Sequence, residues 1–591
     1  MTETKVRWLP WGKKAFQKAK MLDRPIVLDI SAVWCHWCHV MDETTYSERD
    51  VAKLIQEMYV PIRVDRDQRP DIDKRYNMGG WPSTAFLTPD GVVITGATYV
   101  PAQQMKALLQ RISRFYKENK KNIKAKMKEL KKEKIKPPSV QYGLDDDFFQ
   151  SIVDGLTLEV TSSFDSLHGG FGNAPKFPHS GALALSLLEY GLQGHKALLN
   201  IVTKTLEKMR AGGIYDGEEG GFFRYSTTGD WSIPHYEKMC EDNAKLLVSY
   251  LQAYQVTGQE IFKETAEGIL TYVDTNLSDQ GNGGFYGSQD ADEEYYKLAL
   301  SERRKRRPPR VDKTIYTNWN GMMVSAYLLA SSVLKDLSHQ KLALKTIDLL
   351  LDKSFSPRRG MYHYYASGKR RLPGLLTDQV SMITSLIDAY QSTSNRKLVS
   401  HAETIARLML DNLWDNAGGF YDRRKDAEAL GALQALSKPL DENSAAAEAL
   451  LRLHYLTGKE RYLTAARKTL EHFSSAYQRY GITAATYGLA VESYLHPMQI
   501  HIVGSKQDPT ISRFLNESLT VYNPLKVIEV LDPAEDSERL ATLEYPVNET
   551  PRAYVCFEGM CTSVQDPEAM ARKIEPRRGE NKETPTLEHE S

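Results

Sequence analysis

Cys35 and Cys38 are the residues of this chain best suited to chemistry. They lie in Trp34-Cys35-His36-Trp37-Cys38-His39, directly after the apolar run Pro25-Ile26-Val27-Leu28-Asp29-Ile30. A Cys-x-x-Cys pair between a buried strand and a helix is a redox dithiol arrangement. With Cys35 at a helix N-terminus, the dipole and free backbone N–H groups favour a thiolate. Such cysteines titrate at roughly 3.5–7.5 rather than ~8.5. Protonated His36 and His39 lower the value further, and Cys38, one turn on, is the resolving thiol. Three other readings stand beside this one. Cys-x-x-Cys-His spells c-type haem attachment, which needs export. Cys35, Cys38 and His39 could hold zinc, with no obvious fourth ligand nearby. The third is an inert module kept for packing or docking. Cys240 reads as core. Cys556 and Cys561 read as two small buried apolar residues, with a second dithiol as the alternative.

A second set of reactive side chains is spread over the middle of the chain. His235 and Glu237 stand in Pro234-His-Tyr-Glu-Lys238, followed by Asp242-Asn243, Asp290, Asp292, Trp319, Asn320, Asp378 and Asp441. Paired carboxylates carry out glycoside hydrolysis, and a histidine with a carboxylate moves protons beside a sugar carbonyl. Trp231, Trp319 and the aromatics after Gly-Gly could stack on sugar rings. The structural alternative is that His-Tyr-Glu-Lys is a capping and ion-pair cluster and that Asp290 and Asp292 cap a helix. His179, His363 and His454 read as isolated structural residues. No His-x-x-x-His or carboxylate-rich spacing suggests a metal, and no cofactor is expected.

The elements that must position these residues fall into blocks. At 591 residues the chain should hold roughly two to four domains. Residues 1–116 read as α/β, with a helix over 13–23, strands at 26–31, 59–65 and 84–87, a hairpin strand at 92–94 and a closing helix over 103–116. Residues 117–142 form a lysine-rich helix end and linker. Residues 143–496 carry long helical patterns in pairs, punctuated by Gly169-Gly170-Phe171, Gly220-Gly221-Phe222, Gly283-Gly284-Phe285, Gly360-Met361-Tyr362 and Gly418-Gly419-Phe420. A weaker sixth mark lies near Tyr480-Gly481, and each interval fits two helices, which predicts six hairpins in an (α/α)6 toroid. Residues 497–573 return to a small α/β unit, and 574–591 read as a charged, disordered tail. A formal net charge of zero favours neither nucleic acid nor anionic membranes. No secretory h-region or span-length apolar run is present, so a cytoplasmic protein is expected.

Longer motifs carry a resemblance. They are Trp34-Cys-His-Trp-Cys-His-Val-Met41, Gly79-Gly-Trp-Pro82, Gly169-Gly-Phe-Gly-Asn-Ala-Pro-Lys-Phe-Pro178, Gly212-Gly-Ile-Tyr-Asp216, Trp231-Ser-Ile-Pro-His-Tyr-Glu-Lys-Met239, Asp242-Asn243, Asp290-Ala-Asp292 and Trp319-Asn-Gly321. Together they resemble the thioredoxin-domain-containing family of the spermatogenesis-associated protein and its bacterial relatives. The resemblance implies a thioredoxin-like domain joined to a barrel of the six-hairpin glycosidase and epimerase type. It also implies that Pro82 is the cis-proline facing the dithiol. The chain departs from the family pattern in a shortened segment after Asp292, in Asp441-Glu442-Asn443-Ser444, and in Cys240-Glu241. The expected fold is multidomain: α/β thioredoxin-like, all-α toroid, small α/β. The expected function is thiol–disulfide exchange by Cys35 and Cys38, with His39 and Pro82 in support and the barrel recognising a substrate or partner. Sugar isomerase, epimerase or hydrolase activity in the barrel and a non-catalytic scaffold are the alternatives. The candidate partners are a protein thiol or disulfide and a sugar.

Overall fold

The computed structural model describes residues 5–132, 142–546 and 550–575. The Pro137-Pro138 end of the expected linker and the tail from residue 576 lie outside the described residues. The chain begins with β1 (Leu9–Pro10), α1 (Lys13–Leu22), β2 (Ile26–Ser31), α2 (His36–Met41), α3 (Arg49–Met58), β3 (Val60–Asp65), α4 (Pro70–Tyr76), β4 (Ser83–Leu87), β5 (Val93–Ala97) and α5 (Ala102–Lys132). The sheet order is β1-β3-β2-β4-β5. β2 runs parallel to β3, with Leu28 opposite Ile62, and antiparallel to β4, with Leu28 opposite Ala85. β2 is central and covered on both faces, which is why it reads as an unbroken apolar run. α5 does not stop at residue 116; it continues through the lysine run to Lys132. α4 starts on Pro70 and carries acids in its first turn and Lys74 and Arg75 in its last, each matched to the helix dipole.

The middle of the chain folds into helix pairs. α6 (Asp146–Ser162) is followed by α7 (Ser180–Gln193) and α8 (Lys196–Ala211), then α9 (Cys240–Thr257) and α10 (Glu260–Tyr272). α11 (Thr317–Leu334) and α12 (Leu337–Lys353), α13 (Leu376–Thr393) and α14 (Arg396–Leu413), α15 (Leu440–Thr457) and α16 (Glu460–Phe473), and α17 (Ala485–Leu495) complete the set. α7, α9, α11, α13, α15 and α17 pack side by side into a closed ring, and α6, α8, α10, α12, α14 and α16 surround it. The fold is an (α/α)6 barrel. Outer helices bury one stripe: α16 covers Tyr462, Ala465, Ala466, Thr469, Leu470 and Phe473 at helical spacing. Inner helices are covered nearly all round, as α11 shows.

The Gly-Gly-aromatic marks have a definite role. Gly220 and Gly221 both adopt positive φ, and a Cβ on Gly220 would meet the Gly268 carbonyl oxygen at 2.2 Å. The turn drives Phe222 into the barrel wall, where the fourth residue of the next inner helix clamps it. The Phe222 N–H donates to Asn243 Oδ1 at 2.8 Å, and Asn243 Nδ2 donates to the Phe222 and Met239 carbonyls. Asn320 holds Phe285 and Tyr316 in the same way, and Asn443 holds Phe420 and Pro439. Gln379 does this for Met361 and Leu375. Phe171, Phe222, Phe285 and Phe420 are buried plugs, and Trp231 is fully buried with its indole N–H on the His168 and Gly169 carbonyls. None of these five rings is free to stack on a sugar, and Asn320 is a wall clamp rather than a pocket residue.

The chain ends in a sheet of β6 (Met498–Val503), β7 (Lys526–Leu531), β8 (Arg552–Phe557) and β9 (Met560–Val564), ordered β7-β6-β8-β9, with helices α18 (Pro509–Thr520), α19 (Ser537–Thr542) and α20 (Pro567–Ile574). It covers the barrel end formed by the C-termini of the inner helices: Gln391 accepts the Ile528 N–H, and Arg539 donates to the Tyr455 carbonyl. The expectation of two buried apolar cysteines is corrected here. Cys556 and Cys561 are directly opposed on β8 and β9 and joined as a disulfide, with Cys561 exposed. Closing so short a loop gains about 2 kcal/mol of chain entropy, against nearly 5 for a loop of about 100 residues. The misreading came from β9, whose polar edge position hides its strand character.

Replacing Asn320 by alanine leaves the Phe285 N–H and two carbonyls buried without partners. This should cost about 3 kcal/mol of barrel stability in thermal or denaturant unfolding. A loss below about 0.5 kcal/mol would contradict the clamp.

Candidate active site

Cys35 is the N-cap of α2, and its Sγ accepts the Cys38 N–H at 3.2 Å. The two cysteines are paired, and the Trp81–Pro82 bond next to β4 is cis. Neither cysteine faces open water. Cys35 is 3% and Cys38 4% exposed, and with Ala32 and Trp34 they join the apolar core of the barrel. Only the rim, His36 and Trp37, is exposed. His39 turns Nε2 toward the Val33 carbonyl at 3.1 Å and Nδ1 toward Asp290 at 3.8 Å. On β2 itself, burial pushes the Asp29 carboxyl up to about 6 against the pull of Arg63. A lone carboxylate in an apolar strand was the available signal for that residue.

Small antiparallel ladders bring the barrel residues to the same place. Lys238 pairs with Gln289 and Met239 with Ser288, so Glu237 and Asp290 come together at the end of the ladder. Burial, aided by Glu237 and opposed by His39, raises the Asp290 pKa. Tyr225 opposes His235 in another short ladder, and their rings stack at 4.8 Å. His235 Nδ1 pairs with Glu237, which is fully buried. Arg224 lies over Trp34, Trp81 and Tyr225 at 4.7, 4.9 and 5.5 Å. Arg66 of the head lies 4.4 Å over Trp81. His235, Glu237 and Asp290 therefore gather at the junction of head and barrel, beside His39, rather than inside the barrel.

The barrel lumen is a separate cavity of about 690 Å³. Arg66, Arg224, Glu241, Asp242, Lys245 and Asp441 line its head end, and Met322, Val380 and Thr384 lie among its other lining residues. Burial and the neighbouring Glu241 push the Asp242 carboxyl up to about 6. Burial opposes ionisation of Glu241 too, but Lys245, Arg66 and Arg224 outweigh it and hold its pKa low. Trp319 lines a smaller cavity of about 270 Å³ between head and barrel, with Asp67 and His363.

Other candidates are structural. Asp292 caps the short helix Glu293–Tyr296 by accepting the Tyr295 N–H at 2.9 Å. Lys238, fully buried, joins Asp216 at 2.7 Å, and Arg303 reaches the same carboxylate. Asp378 is buried away from the lumen against His363, and His363 is not isolated. Its Nδ1 lies 3.0 Å from Asp378 Oδ1 and its Nε2 2.7 Å from the Asp67 carbonyl of the head. No local spacing marks Arg66, Arg224 or His363 as site residues, because each meets a partner on another domain, whereas Glu241 and Lys245 pair with each other at i,i+4 on α9.

Three comparisons bear on this arrangement. A family profile described as a protein of unknown function, DUF255, with a thioredoxin-type name, matches residues 1–135. Spermatogenesis-associated protein 20 of Homo sapiens is 26% identical, over 97% of this chain and 90% of its own length. An uncharacterized protein of Caenorhabditis elegans is 30% identical, over 78% of this chain and 70% of its own. The chain belongs to the spermatogenesis-associated protein 20 family. Among solved structures, cellobiose 2-epimerase from Bacillus thermoamylovorans aligns with 55% of this chain and 88% of its own, at 13% identity and a TM-score of 0.46. An unsaturated glucuronyl hydrolase specific for heparin aligns with 59% of this chain and 97% of its own, at 14% identity and a TM-score of 0.43. The ring of helix contacts defines the barrel of this family member independently of those alignments.

In this family member both ring nitrogens of His363 face acceptors, which requires two N–H donors and hence an imidazolium. Burial opposes that charge, but Asp378, the Asp67 carbonyl and Asp71 win and raise its pKa. A raised histidine contributes stability that is complete below the ordinary value of ~6.5 and is lost as pH climbs through the raised one. The stability difference between wild type and His363→Gln should therefore shrink as pH rises above the ordinary value of ~6.5 in thermal melts. A difference independent of pH would contradict the imidazolium.

Proposed function

We propose that the protein is a thiol–disulfide oxidoreductase in which Cys35 and Cys38 do the chemistry and the barrel selects what reaches them. The observation that carries this reading is the placement of Cys35 Sγ at the N-cap of α2, accepting the Cys38 N–H. That placement stabilises a thiolate. The Cys35 thiolate attacks one sulfur of a substrate disulfide, forming a mixed disulfide and releasing the other sulfur as a thiolate. Cys38 then attacks Cys35 Sγ, releases the remaining substrate thiolate and leaves the Cys35–Cys38 disulfide. A dithiol reductant restores the pair. His39, with Asp290 beside it, tunes the charge around Cys38, and the junction with Arg224, His235 and Glu237 restricts access from the barrel side.

One observation favours a second reading. Asp242 and Glu241 are adjacent carboxyls with pKa values driven apart in a lumen of about 690 Å³, the pattern of an acid–base pair. One comparison separates the two. Cys35→Ser should cut disulfide reduction at least about 100-fold, and Cys38→Ser should accumulate the mixed disulfide. Asp242→Asn should leave both rates unchanged. Full activity in Cys35→Ser would overturn the oxidoreductase reading, and sugar turnover lost only in Asp242→Asn would establish the other.

A further inference from the structure

Cys556 and Cys561 lie far from the dithiol of the head. α11 alone has eighteen residues, a length of roughly 27 Å, and the inner helices separate the two ends of the barrel. Residues of the head line the cavities at one end, and Tyr522 and Lys526 line the cavity at the other. The two sulfurs of the distal pair have unequal surroundings. Cys561 is exposed on β9, the edge strand. Cys556 is buried on the face it shares with Val503, Leu531 and Leu540.

A polar chain leads to the buried sulfur. The Tyr545 hydroxyl lies 3.5 Å from Cys556 Sγ and 2.8 Å from His501 Nδ1. Burial lowers the His501 pKa to about 4, so the ring is neutral; its one proton on Nδ1 donates to the Tyr545 oxygen and leaves the Tyr545 O–H for Cys556 Sγ, while Nε2 lies 3.6 Å from Glu529, beyond a hydrogen bond. Arg396 and Arg539 hold Glu529 in place. The Tyr545 ring is fixed by stacking on Tyr554 at 3.9 Å. A disulfide sulfur is a weak acceptor and makes little use of such a donor, whereas a thiolate only accepts and needs one. A cross-link over a two-residue turn is also the least effective staple, because the ladder already holds the hairpin.

We propose that Cys556 and Cys561 form a second thiol–disulfide centre, opened by a thiol reductant through attack on Cys561, with Cys556 leaving as a thiolate held by Tyr545. A reductant thiolate bonds to Cys561 Sγ, the Cys556–Cys561 bond breaks, and its electron pair goes to Cys556 Sγ. A second reductant thiolate attacks the reductant sulfur of the mixed disulfide and frees Cys561 as a thiolate. The reductant becomes its own disulfide, and solvent supplies the two protons that complete the dithiol. Two electrons pass from two thiols to one disulfide. Tyr545 remains protonated throughout, because burial, Tyr554 and Glu529 push its hydroxyl up to about 12.

The full chain equilibrated with rising ratios of reduced to oxidised glutathione, trapped by alkylation and read by peptide mass spectrometry, tests this. The pair should open and close reversibly in the folded protein, and equally so in a Cys35→Ser/Cys38→Ser variant. That second arm separates this centre from the head dithiol. Cys556→Ser should carry one glutathionyl group on Cys561, while Cys561→Ser leaves Cys556 at least about tenfold less modified. Tyr545→Phe should slow opening about tenfold. Opening only on unfolding, loss of opening in the head variant, or equal modification of the two single variants would overturn the proposal. An unchanged rate in Tyr545→Phe would overturn the role of Tyr545.

Discussion

Two guanidinium groups from different domains share one pair of indoles. Arg66 from the head and Arg224 from the barrel both lie over Trp34 and Trp81, the aromatic residues that flank Cys35 and Pro82. Each such contact contributes on the order of 0.5–2 kcal/mol. The larger effect comes from the charges, because a buried guanidinium must keep its carboxylates. Arg66 keeps Asp67 at 3.2 Å and Asp73 at 3.8 Å, and it acts on Glu241 across the domain boundary. Removing one member of such a set leaves the others buried and unpaired, which costs about 3–5 kcal/mol. The dithiol face is thereby held against the barrel mouth, and Arg66 of the head forms part of the lumen wall.

The rest of the junction reinforces that geometry. Arg75, at the end of α4, pairs with Asp422 at 2.8 Å, and Lys74 pairs with Glu442. Tyr76 accepts the Ala432 N–H, and Ala429 and Leu433 of the barrel enter the apolar core of the head. Closure also accounts for the electrostatics inside. Glu241 is held ionised by cations from both sides of the junction, and Asp242 beside it is pushed toward the protonated form. A head that lifted away would remove Arg66 from the lumen wall and with it part of the pull that keeps Glu241 ionised. That one side chain touches both the indoles beside the dithiol and the carboxyl pair of the lumen.

Much of this architecture could be read from local patterns. A fully covered strand followed by Cys-x-x-Cys marks its own place, and the recurring Gly-Gly-aromatic turns count the hairpins because no other residue fits the positive φ at Gly220 and Gly221. The asparagine clamps were visible as Asn243, Asn320 and Asn443, yet their purpose depends on which carbonyl lies opposite. Reading Asn320 and Asp378 as pocket residues failed for that reason: helix rotation decides whether a polar side chain faces a lumen or a wall. His235, Glu237 and Asp290 were recognised as a group, but their location at the junction depends on the docking of two domains. Nothing in the spacing around Arg66, Arg224 or His363 encodes that docking.

The barrel covers the dithiol. The alkylation rate of reduced Cys35 at fixed pH, compared between the wild type and Arg75→Ala, tests it most directly. Breaking the Arg75–Asp422 contact weakens docking without touching the dithiol. The rate should rise at least about tenfold, because access then requires a smaller opening free energy. Equal rates in the two proteins, with the fold of both intact, would contradict the account.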